Sequence, residues 1–336
     1  MPSRVLGRTG AMVSVLGYGA MQCGDSSAIR HGLEQGITYI DTANCYMGGR
    51  NEKLVGEAVA GIRDKVFIAT KVHIGREERM RSSVDRSLAS LGVDRVDLMQ
   101  LHGVSSRQQI RNKDVQKIME AMKREGKFRF AGVTTHGNQQ EVLEAVMDDG
   151  YYDTVLVAVN FRSPPALFEA IEKGAAKGVG IIAMKTQNGG FKSESYPGFS
   201  PHQSALRYVV EQPGVHLAVP GMLSRKMVDE NVAAIKGKGG LSDLFLLDAY
   251  RADLEGKACS FCSKCLDQCR YQTGGLDAAR IAMYREGYKD PRLAAERAVH
   301  AASAVRTCAD CEGCTVECSQ GIDIKDAARR GVRFLA

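Results

Sequence analysis

The segment Val66-Phe-Ile-Ala-Thr-Lys-Val72 decides how the chain folds. It is a short apolar run rich in β-branched residues, which is typical of a buried strand. Glu77 to Leu91 follows with apolar residues at helical spacing, and Asp97 to His102 is a second apolar run. A strand, a helix and another strand in this order predict a βαβ unit of a parallel sheet.

The same alternation extends outward from residue 13 to about residue 235, with further helical segments such as Asp114 to Glu125. The predicted strands are Val13 to Gly17, Tyr39 to Ala43, Val66 to Val72, Asp97 to His102, Phe128 to Thr134, Thr154 to Asn160, Gly180 to Lys185 and His216 to Pro220. Eight strands favour an α/β fold of the closed (β/α)8 TIM barrel type over an open doubly wound sheet. Gly17-Tyr-Gly19 lacks the third glycine of a dinucleotide-binding loop, which weakens the open-sheet alternative.

A second unit follows the barrel. The alternation stops after Asn231, and Lys236-Gly-Lys-Gly-Gly240 is typical of a flexible turn. We therefore expect a barrel domain over residues 1–240 and a smaller domain over 241–336. Leu276 to Gly287 and Pro291 to Val305 have helical periodicity, which predicts an α-helical domain with its cysteines near helix ends.

Composition excludes several classes of protein. Hydrophobic residues make up 44% and charged residues 25%, as in ordinary soluble globular proteins. The net charge of +6 is not gathered into a basic run, and with 6% aromatic residues and no Trp we expect no nucleic-acid partner. Without a secretory signal or an apolar run of membrane-spanning length, the sequence predicts a cytoplasmic protein with no membrane partner.

Eight of the ten cysteines form two motifs of identical spacing. The first cysteine motif is Cys259-x2-Cys262-x2-Cys265-x3-Cys269, and the second is Cys308-x2-Cys311-x2-Cys314-x3-Cys318. In a cytoplasmic chain this density indicates metal rather than disulfides. The spacing predicts two 4Fe-4S clusters, because the fourth cysteine of each motif points toward the other motif's cluster. One cluster would then be bound by Cys259, Cys262, Cys265 and Cys318, and the other by Cys308, Cys311, Cys314 and Cys269.

Structural zinc is the alternative. Zinc usually draws four ligands from two separated C-x2-C pairs, so two crowded sets of four fit it poorly. The segment resembles two-cluster ferredoxin modules of the helical type, most closely over Cys314-Thr-Val-Glu-Cys318-Ser-Gln-Gly-Ile-Asp-Ile324. It departs from them at Arg270 and Ser319, where those modules have proline. Cys23 and Cys45 are interpreted as small buried hydrophobic residues.

The barrel carries an ordered series of further motifs. They are Leu6-Gly-Arg-Thr-Gly10, Val13-Ser-Val-Leu-Gly-Tyr-Gly19, Asp41-Thr-Ala-Asn-Cys-Tyr46, Asn51-Glu52, Leu54-Val-Gly-Glu-Ala58, Ala69-Thr-Lys71 and Asp97-Leu-Met-Gln-Leu-His102. In this order they resemble the aldo-keto reductase family over roughly residues 3 to 235. The resemblance implies an oxidoreductase that interconverts a carbonyl and an alcohol with a nicotinamide cofactor.

Four of these residues form a candidate catalytic set. Asp41, Lys71 and His102 end successive predicted strands, and Tyr46 follows in the loop, on the face that carries chemistry in such barrels. We expect Tyr46 to be the general acid, with Lys71 favouring its ionised form. Asp41 would hold Lys71, and His102 would donate a hydrogen bond to the carbonyl oxygen. Taken singly, each residue also has an ordinary structural role.

The resemblance also implies a nicotinamide site, although several positions differ from the family pattern. The candidate residues are Thr134, Thr135, Asn160, Met184, Lys185, Gly221, Arg225, Lys226, Glu230 and Asn231. Met184-Lys185 resembles the iron-sulfur subgroup of the family. Gly221, interpreted as lying at a helix N-terminus, could receive a phosphate, and Arg225 and Lys226 are cations for a 2′-phosphate, so NADP(H) is the predicted cofactor.

The sequence therefore predicts a carbonyl–alcohol oxidoreductase whose clusters exchange electrons with an external carrier. Two alternatives stay open. In one, the barrel uses cluster electrons with another bound cofactor or catalyses a non-redox step. In the other, the chain is an electron-transfer subunit whose barrel is only a scaffold, an interpretation that the intact catalytic set disfavours.

Overall fold

Eight parallel strands form the barrel in the computed structural model of the chain, which describes residues 1–189, 200–271 and 273–335. The strands lie side by side in chain order. They are Tyr18–Gly19 (β3), Tyr39–Asp41 (β4), Phe67–Val72 (β5), Val96–Leu101 (β6), Phe128–Thr135 (β7), Thr154–Ala158 (β8), Gly180–Met184 (β9) and Leu217–Ala218 (β10). Bridges from Leu16 to Ala218 and from Gly19 to Gly221 join the first strand to the last, so the ring closes.

The first predicted strand, Val13 to Gly17, is placed wrongly. Val13 and Ser14 belong to β2 (Met12–Ser14), which pairs antiparallel with β1 (Ser3–Val5) in a separate hairpin. The barrel strand begins a few residues later, at Tyr18. Apolar alternation has the same period in a hairpin and in a barrel strand, so the sequence alone could not separate them.

Helices cover the outside of the ring. Those of the described residues are Ser26–Glu34 (α1), Asn51–Val59 (α2), Glu77–Leu91 (α3), Arg107–Ile110 (α4), Lys113–Arg124 (α5), Gln139–Asp149 (α6), Pro165–Ala176 (α7), Pro201–Val210 (α8) and Arg225–Lys236 (α9). Valine, isoleucine and methionine side chains between helices and strands form the larger hydrophobic core. The helix predicted over Glu77 to Leu91 is confirmed with the same first and last residues. Gly92 follows it in the left-handed conformation and ends it.

A second apolar cluster fills the inside of the ring. It contains Tyr39, Phe67 and Leu98 from neighbouring strands, together with Leu6 from the hairpin loop. A side chain on Gly7 would lie 2.4 Å from the backbone nitrogen of Gly180, the first residue of β9. The hairpin therefore covers the end of the barrel where the strands begin.

The chain divides into two compact units. The first comprises Met1–Val159, Pro165–Thr186 and Leu206–Lys238, and the second comprises the described residues of Asn160–Pro164, Gln187–Ala205 and Gly239–Ala336. Helices that lie wholly in the second unit are Leu241–Asp253 (α10), Lys264–Gln268 (α11), Gly275–Ala282 (α12), Pro291–His300 (α13), Ala302–Asp310 (α14) and Ile324–Val332 (α15).

The helical prediction for this unit is confirmed with two differences. In the segment Leu276 to Gly287 the α-helix ends at Ala282, and Met283–Gly287 is a π-helix. The segment Pro291 to Val305 is two helices, because Ala301 leaves the helical conformation at φ −110° and ψ 23°. No glycine or proline marks this break, so the sequence could not indicate it. Cys269 and Cys311 lie at the C-terminal ends of α11 and α14, as expected. No helix in the described ranges is long and apolar enough to cross a lipid bilayer.

Candidate active site and candidate cluster sites

A buried ion pair lies at the carboxyl ends of β4 and β5. The Lys71 ammonium donates to Oδ1 of Asp41 at 2.5 Å and to the carbonyl oxygen of Thr42 at 2.6 Å. Gln100 Nε2 donates to the other carboxylate oxygen of Asp41 at 3.0 Å. Lys71 is 1% exposed and Asp41 is 5% exposed. Because each charged group has several partners, the ammonium is held at one place.

Tyr46 stands next to this pair, at the start of the short 3-10 helix Tyr46–Gly49. The Lys71 nitrogen lies 4.7 Å from the centroid of its ring. Burial raises the pKa of Tyr46, while the charge of Lys71 acts in the opposite direction. Burial alone would lower the pKa of Lys71, but Asp41 and Tyr46 outweigh it and the pKa is raised. A fixed cation therefore lies beside a protonated phenol at neutral pH.

His102 completes the predicted set at the end of β6. Its ring is 6.1 Å from the ring of Tyr46 at an interplanar angle of 83°. Its backbone nitrogen donates to the carbonyl oxygen of Val72 at 2.9 Å, which continues the pairing of β5 with β6. The barrel thus brings the four predicted catalytic side chains together at one end.

Two supporting residues were not predicted. Gln100 fixes the carboxylate of Asp41, as described above. Asn51 accepts from the Thr42 hydroxyl at 2.7 Å and donates to the carbonyl oxygen of Ala20 at 2.7 Å. Both are fully buried. Asn51 therefore ties the segment that carries Tyr46 to the neighbouring β3 loop.

The predicted nicotinamide residues of β7 and β9 lie at the same end of the barrel. Thr134 accepts from the backbone nitrogen of Gly103 at 2.9 Å, and Thr135 donates to the carbonyl oxygen of Gly137 at 2.7 Å. Met184 is the last residue of β9, and Lys185 follows it with φ of +60°. A left-handed lysine at a strand end is a strained conformation of the kind often found at binding sites.

Asn160 follows β8 and is fully buried. Its Oδ1 accepts from the backbone nitrogen of Arg162 at 2.9 Å. Among the described residues its Nδ2 has no hydrogen-bond partner. An unpaired buried amide is costly, and a ligand carbonyl at this position would satisfy it.

The predicted phosphate residues lie at the start of α9. Ser224 caps this helix by accepting from Met227 N at 3.4 Å, so the helix begins at Arg225. Gly221 therefore precedes the helix and lies opposite Gly19 at the closure of the barrel, which corrects its expected place at the helix N-terminus. Arg225 is exposed. Lys226 and Glu230 are also exposed and form an ion pair of 3.9 Å, whereas Asn231 is only 3% exposed.

The eight motif cysteines surround two cavities in the second unit. One cavity is lined by Cys259, Cys262, Cys265 and Cys318. The other is lined by Cys269, Cys308, Cys311 and Cys314. Each set thus contains three cysteines of one motif and the fourth of the other. We call them the first and the second thiol set.

Two adjacent glycines lie against both thiol sets. A Cβ atom on Gly274 would be 2.6 Å from Cβ of Cys308, and one on Gly275 would be 3.3 Å from Cβ of Cys265. Gly274 also has φ of +72°. Only glycine permits this conformation and this close approach together. The pair therefore holds one cysteine of each set near the same turn.

The thiol sets have the donors of a soft metal site. Burial raises the pKa of Cys259 and of Cys265 to about 12, and neighbouring thiols add to the effect. Four thiolates cannot gather in such a place unless a positive centre stabilises them. The backbone nitrogen of Phe261 already donates to Cys259 Sγ at 3.3 Å. Such N–H···S contacts are among the features that tune iron-sulfur clusters.

Two guanidinium groups lie close to the first thiol set. Arg162 donates to the carbonyl oxygen of Ala258 at 3.0 Å and to the side chain of Gln320. Burial lowers the pKa of Arg162, and the nearby thiols of the set act in the opposite direction. Arg280 is 9% exposed and is also influenced by Cys259. In both arginines Nε is buried without a partner in the described part of the chain.

Known proteins resemble the barrel part of the chain. Residues 15–198 match the family model described as "Aldo/keto reductase family". The L-galactose dehydrogenase of Arabidopsis thaliana is 27% identical in an alignment of 281 residues that covers 69% of this chain and 87% of that protein. The methylglyoxal reductase YeaE of Escherichia coli is 28% identical in an alignment of 246 residues that covers 67% of this chain and 84% of that protein.

Solved structures give the same result. The aldo-keto reductase of Klebsiella pneumoniae in complex with NADPH has a TM-score of 0.61 and 25% identity, over 74% of this chain and 95% of that one. The holo form of AKR11C1 from Bacillus halodurans has a TM-score of 0.62 and 25% identity, over 74% and 96%. The family match ends at residue 198, before both cysteine motifs.

Proposed function

The chain belongs to the aldo/keto reductase family and is an oxidoreductase, and from this premise we propose that it interconverts a carbonyl and an alcohol with NADP(H). We further propose that residues 241–336 form a ferredoxin-like domain with two 4Fe-4S clusters, which exchange electrons with an external carrier in the cytoplasm. The observation that carries the enzymatic proposal is the buried Asp41–Lys71 pair beside Tyr46.

The catalytic set handles the proton of the reaction. In reduction, the Tyr46 hydroxyl gives its proton to the carbonyl oxygen, and the adjacent Lys71 ammonium stabilises the phenolate that remains. Asp41 and the Thr42 carbonyl hold that ammonium in place. His102 donates to the same carbonyl oxygen and orients it. The nicotinamide, when bound, supplies the hydride.

Several residues fit a nicotinamide. The unpaired Nδ2 of Asn160 is a donor that a carboxamide oxygen would satisfy. Thr134 and Thr135, at the carboxyl end of β7, offer hydroxyls for the same cofactor. Met184 ends β9, and Lys185 follows it. The Klebsiella pneumoniae relative was solved with NADPH, which supports the choice of nicotinamide.

The enzymatic proposal is tested anaerobically with cluster-loaded protein, NADPH and a panel of small aldehydes and ketones. We expect loss of NADPH fluorescence in step with the formation of the alcohol. If neither nicotinamide binds, the proposal fails, and a barrel that uses cluster electrons with another bound cofactor replaces it.

Replacing Arg225 by alanine should weaken NADP(H) binding about tenfold and leave NAD(H) binding unchanged. Arg225 is an exposed guanidinium in the first turn of α9, and one charge-assisted contact to a 2′-phosphate at such a position is worth about 1.4 kcal/mol. Anaerobic fluorescence titration of both cofactors measures the effect. Lys236→Ala, at the other end of α9, is the matched control. Tighter NAD(H) binding by the parent, or an unchanged NADP(H) affinity in the variant, would contradict this assignment.

The cluster proposal rests on the two thiol sets. In each set four cysteines line one cavity, three from one motif and the fourth from the other. The two sets differ in their surroundings. The first has Arg162 and Arg280 nearby, both with a buried unpaired Nε, whereas Cys314 of the second set is exposed. Positive charge near a cluster favours its reduced form.

Replacing Arg162 by glutamine should lower the reduction potential of the cluster in the first thiol set by about 60 mV. This is the order expected when one partly screened charge, worth about 1.4 kcal/mol for a one-electron couple, is removed. A redox titration followed by electron paramagnetic resonance measures both clusters in the same sample. The second cluster serves as the internal reference, and Arg162→Lys retains the charge. Equal shifts in both clusters would contradict a local role of Arg162.

A further inference from the structure

Three metal-binding side chains converge beside the catalytic set. Cys45 follows β4, His73 follows β5 and His102 follows β6, so three consecutive strands contribute one residue each. One ligand atom of each lies within 4.8 Å of those of the other two. Cys45 Sγ is 3.7 Å from Nδ1 of His102, and the rings of the two histidines stack at 4.6 Å with an interplanar angle of 24°.

We propose that Cys45, His73 and His102 form a binding site for a thiophilic divalent cation, with Zn²⁺ as the ion that the donors fit best. One thiolate and two imidazoles are common zinc ligands, with Zn–S near 2.3 Å and Zn–N near 2.0 Å. Tetrahedral geometry with these bonds places sulfur and nitrogen about 3.5 Å apart. The observed 3.7 Å between Cys45 Sγ and His102 Nδ1 is close to this value. The His73 ring, which stacks on that of His102, must rotate to point a nitrogen at the same ion.

The surroundings suit a site that gains and loses its ion. Cys45 and His73 are exposed and His102 is partly exposed, so an ion reaches them from solvent. Three protein ligands leave a fourth position for water. The nearby Lys71 ammonium is paired with Asp41, which offsets the repulsion that it would exert on a cation.

A bound ion would occupy the place where His102 meets the substrate. Zn²⁺ should therefore inhibit carbonyl reduction, and a chelator should restore it. This consequence rests on the proposed function, whereas binding of the ion does not. A free thiol next to the general acid would thus make the barrel sensitive to zinc.

The binding test uses anaerobic, cluster-loaded protein, in which the motif cysteines are occupied. We expect one Zn²⁺ per chain, with an X-ray absorption spectrum of one sulfur at about 2.3 Å and two imidazole nitrogens at about 2.0 Å. Cys45→Ala and His73→Ala should each weaken Zn²⁺ binding about 100-fold or more, because loss of an outer-shell partner alone costs about 10- to 100-fold in metal affinity. Cys23→Ala, which removes the other cysteine outside the motifs, should bind as the parent does.

Equal Zn²⁺ affinity in the parent and in Cys45→Ala would overturn the proposal, as would a shell of four sulfurs, which would place the ion at the motif cysteines. Measurements of carbonyl reduction separate the zinc-site proposal from the proposed function. If Zn²⁺ binds as expected but no carbonyl is reduced, the metal site stands and the proposed function fails. If carbonyls are reduced and Zn²⁺ neither binds nor inhibits, the reverse holds.

Discussion

Tyr46→Phe is expected to reduce turnover of any accepted carbonyl about 100- to 10,000-fold, the usual contribution of one positioned general acid. The variant removes only the hydroxyl whose proton the carbonyl oxygen needs. The Asp41–Lys71 pair keeps its contacts with the Thr42 carbonyl and with Gln100. We therefore expect unchanged folding and an unchanged affinity for NADPH, measured by thermal unfolding and by fluorescence titration under anaerobic conditions.

Tyr39→Phe is the matched control. Tyr39 lies on β4, inside the barrel, and stacks on Phe67 at 5.3 Å. Its hydroxyl is buried and without a partner among the described residues, so its removal should cost little stability and no activity. Equal turnover by Tyr46→Phe and the parent would show that Tyr46 is not the proton donor.

Local patterns were sufficient to predict most of the barrel. The eight apolar runs and the helix Glu77–Leu91 are each visible within a short window, because the signal is periodic and local. The strand Met12–Ser14 was predicted wrongly as part of the first barrel strand. Only the strand with which it pairs distinguishes a hairpin strand from a barrel strand, and pairing is not a local property of the sequence. The break at Ala301 was missed because helix-forming residues surround it.

The site shows the same division between local and non-local information. Asp41, Lys71 and His102 could be placed at strand ends from the sequence, since each ends an apolar run. Gln100 was missed although a signal existed. It lies two residues after Leu98, which faces the barrel interior, so alternation places Gln100 inward as well. A polar residue at an inward position is unusual enough to indicate a role.

The convergence of Cys45, His73 and His102 could not be predicted in this way. Each residue lies in a different loop, and their meeting depends on the register of three strands and on the conformation of the turn after β4. In that turn Met47 adopts φ of +53°, which no sequence rule for methionine indicates. Cys45 was therefore interpreted as a buried space-filling residue, whereas the structure leaves it exposed.

Cys318→Ser is expected to remove the same cluster as Cys259→Ser, although the two residues are 59 positions apart. Both line the cavity of the first thiol set, whereas Cys311 and Cys314, the neighbours of Cys318 in its own motif, line the other cavity. The anaerobically purified parent should contain about eight irons per chain, and each of these variants about four. Iron analysis and electron paramagnetic resonance measure the content and identify the surviving cluster.

The comparison of variants decides how the motifs share their ligands. Cys318→Ser and Cys259→Ser should show the same spectrum, that of the cluster in the second thiol set. Cys269→Ser and Cys308→Ser should both show the spectrum of the other cluster, because Cys269 lines the second cavity. Cys23→Ser should retain all the iron. If Cys318→Ser instead matched Cys311→Ser, each motif would bind its own cluster and the crossed arrangement would be wrong. A parent with about four irons and bound zinc would refute the two-cluster proposal itself, because one set of four thiols would then hold a tetrahedral zinc ion.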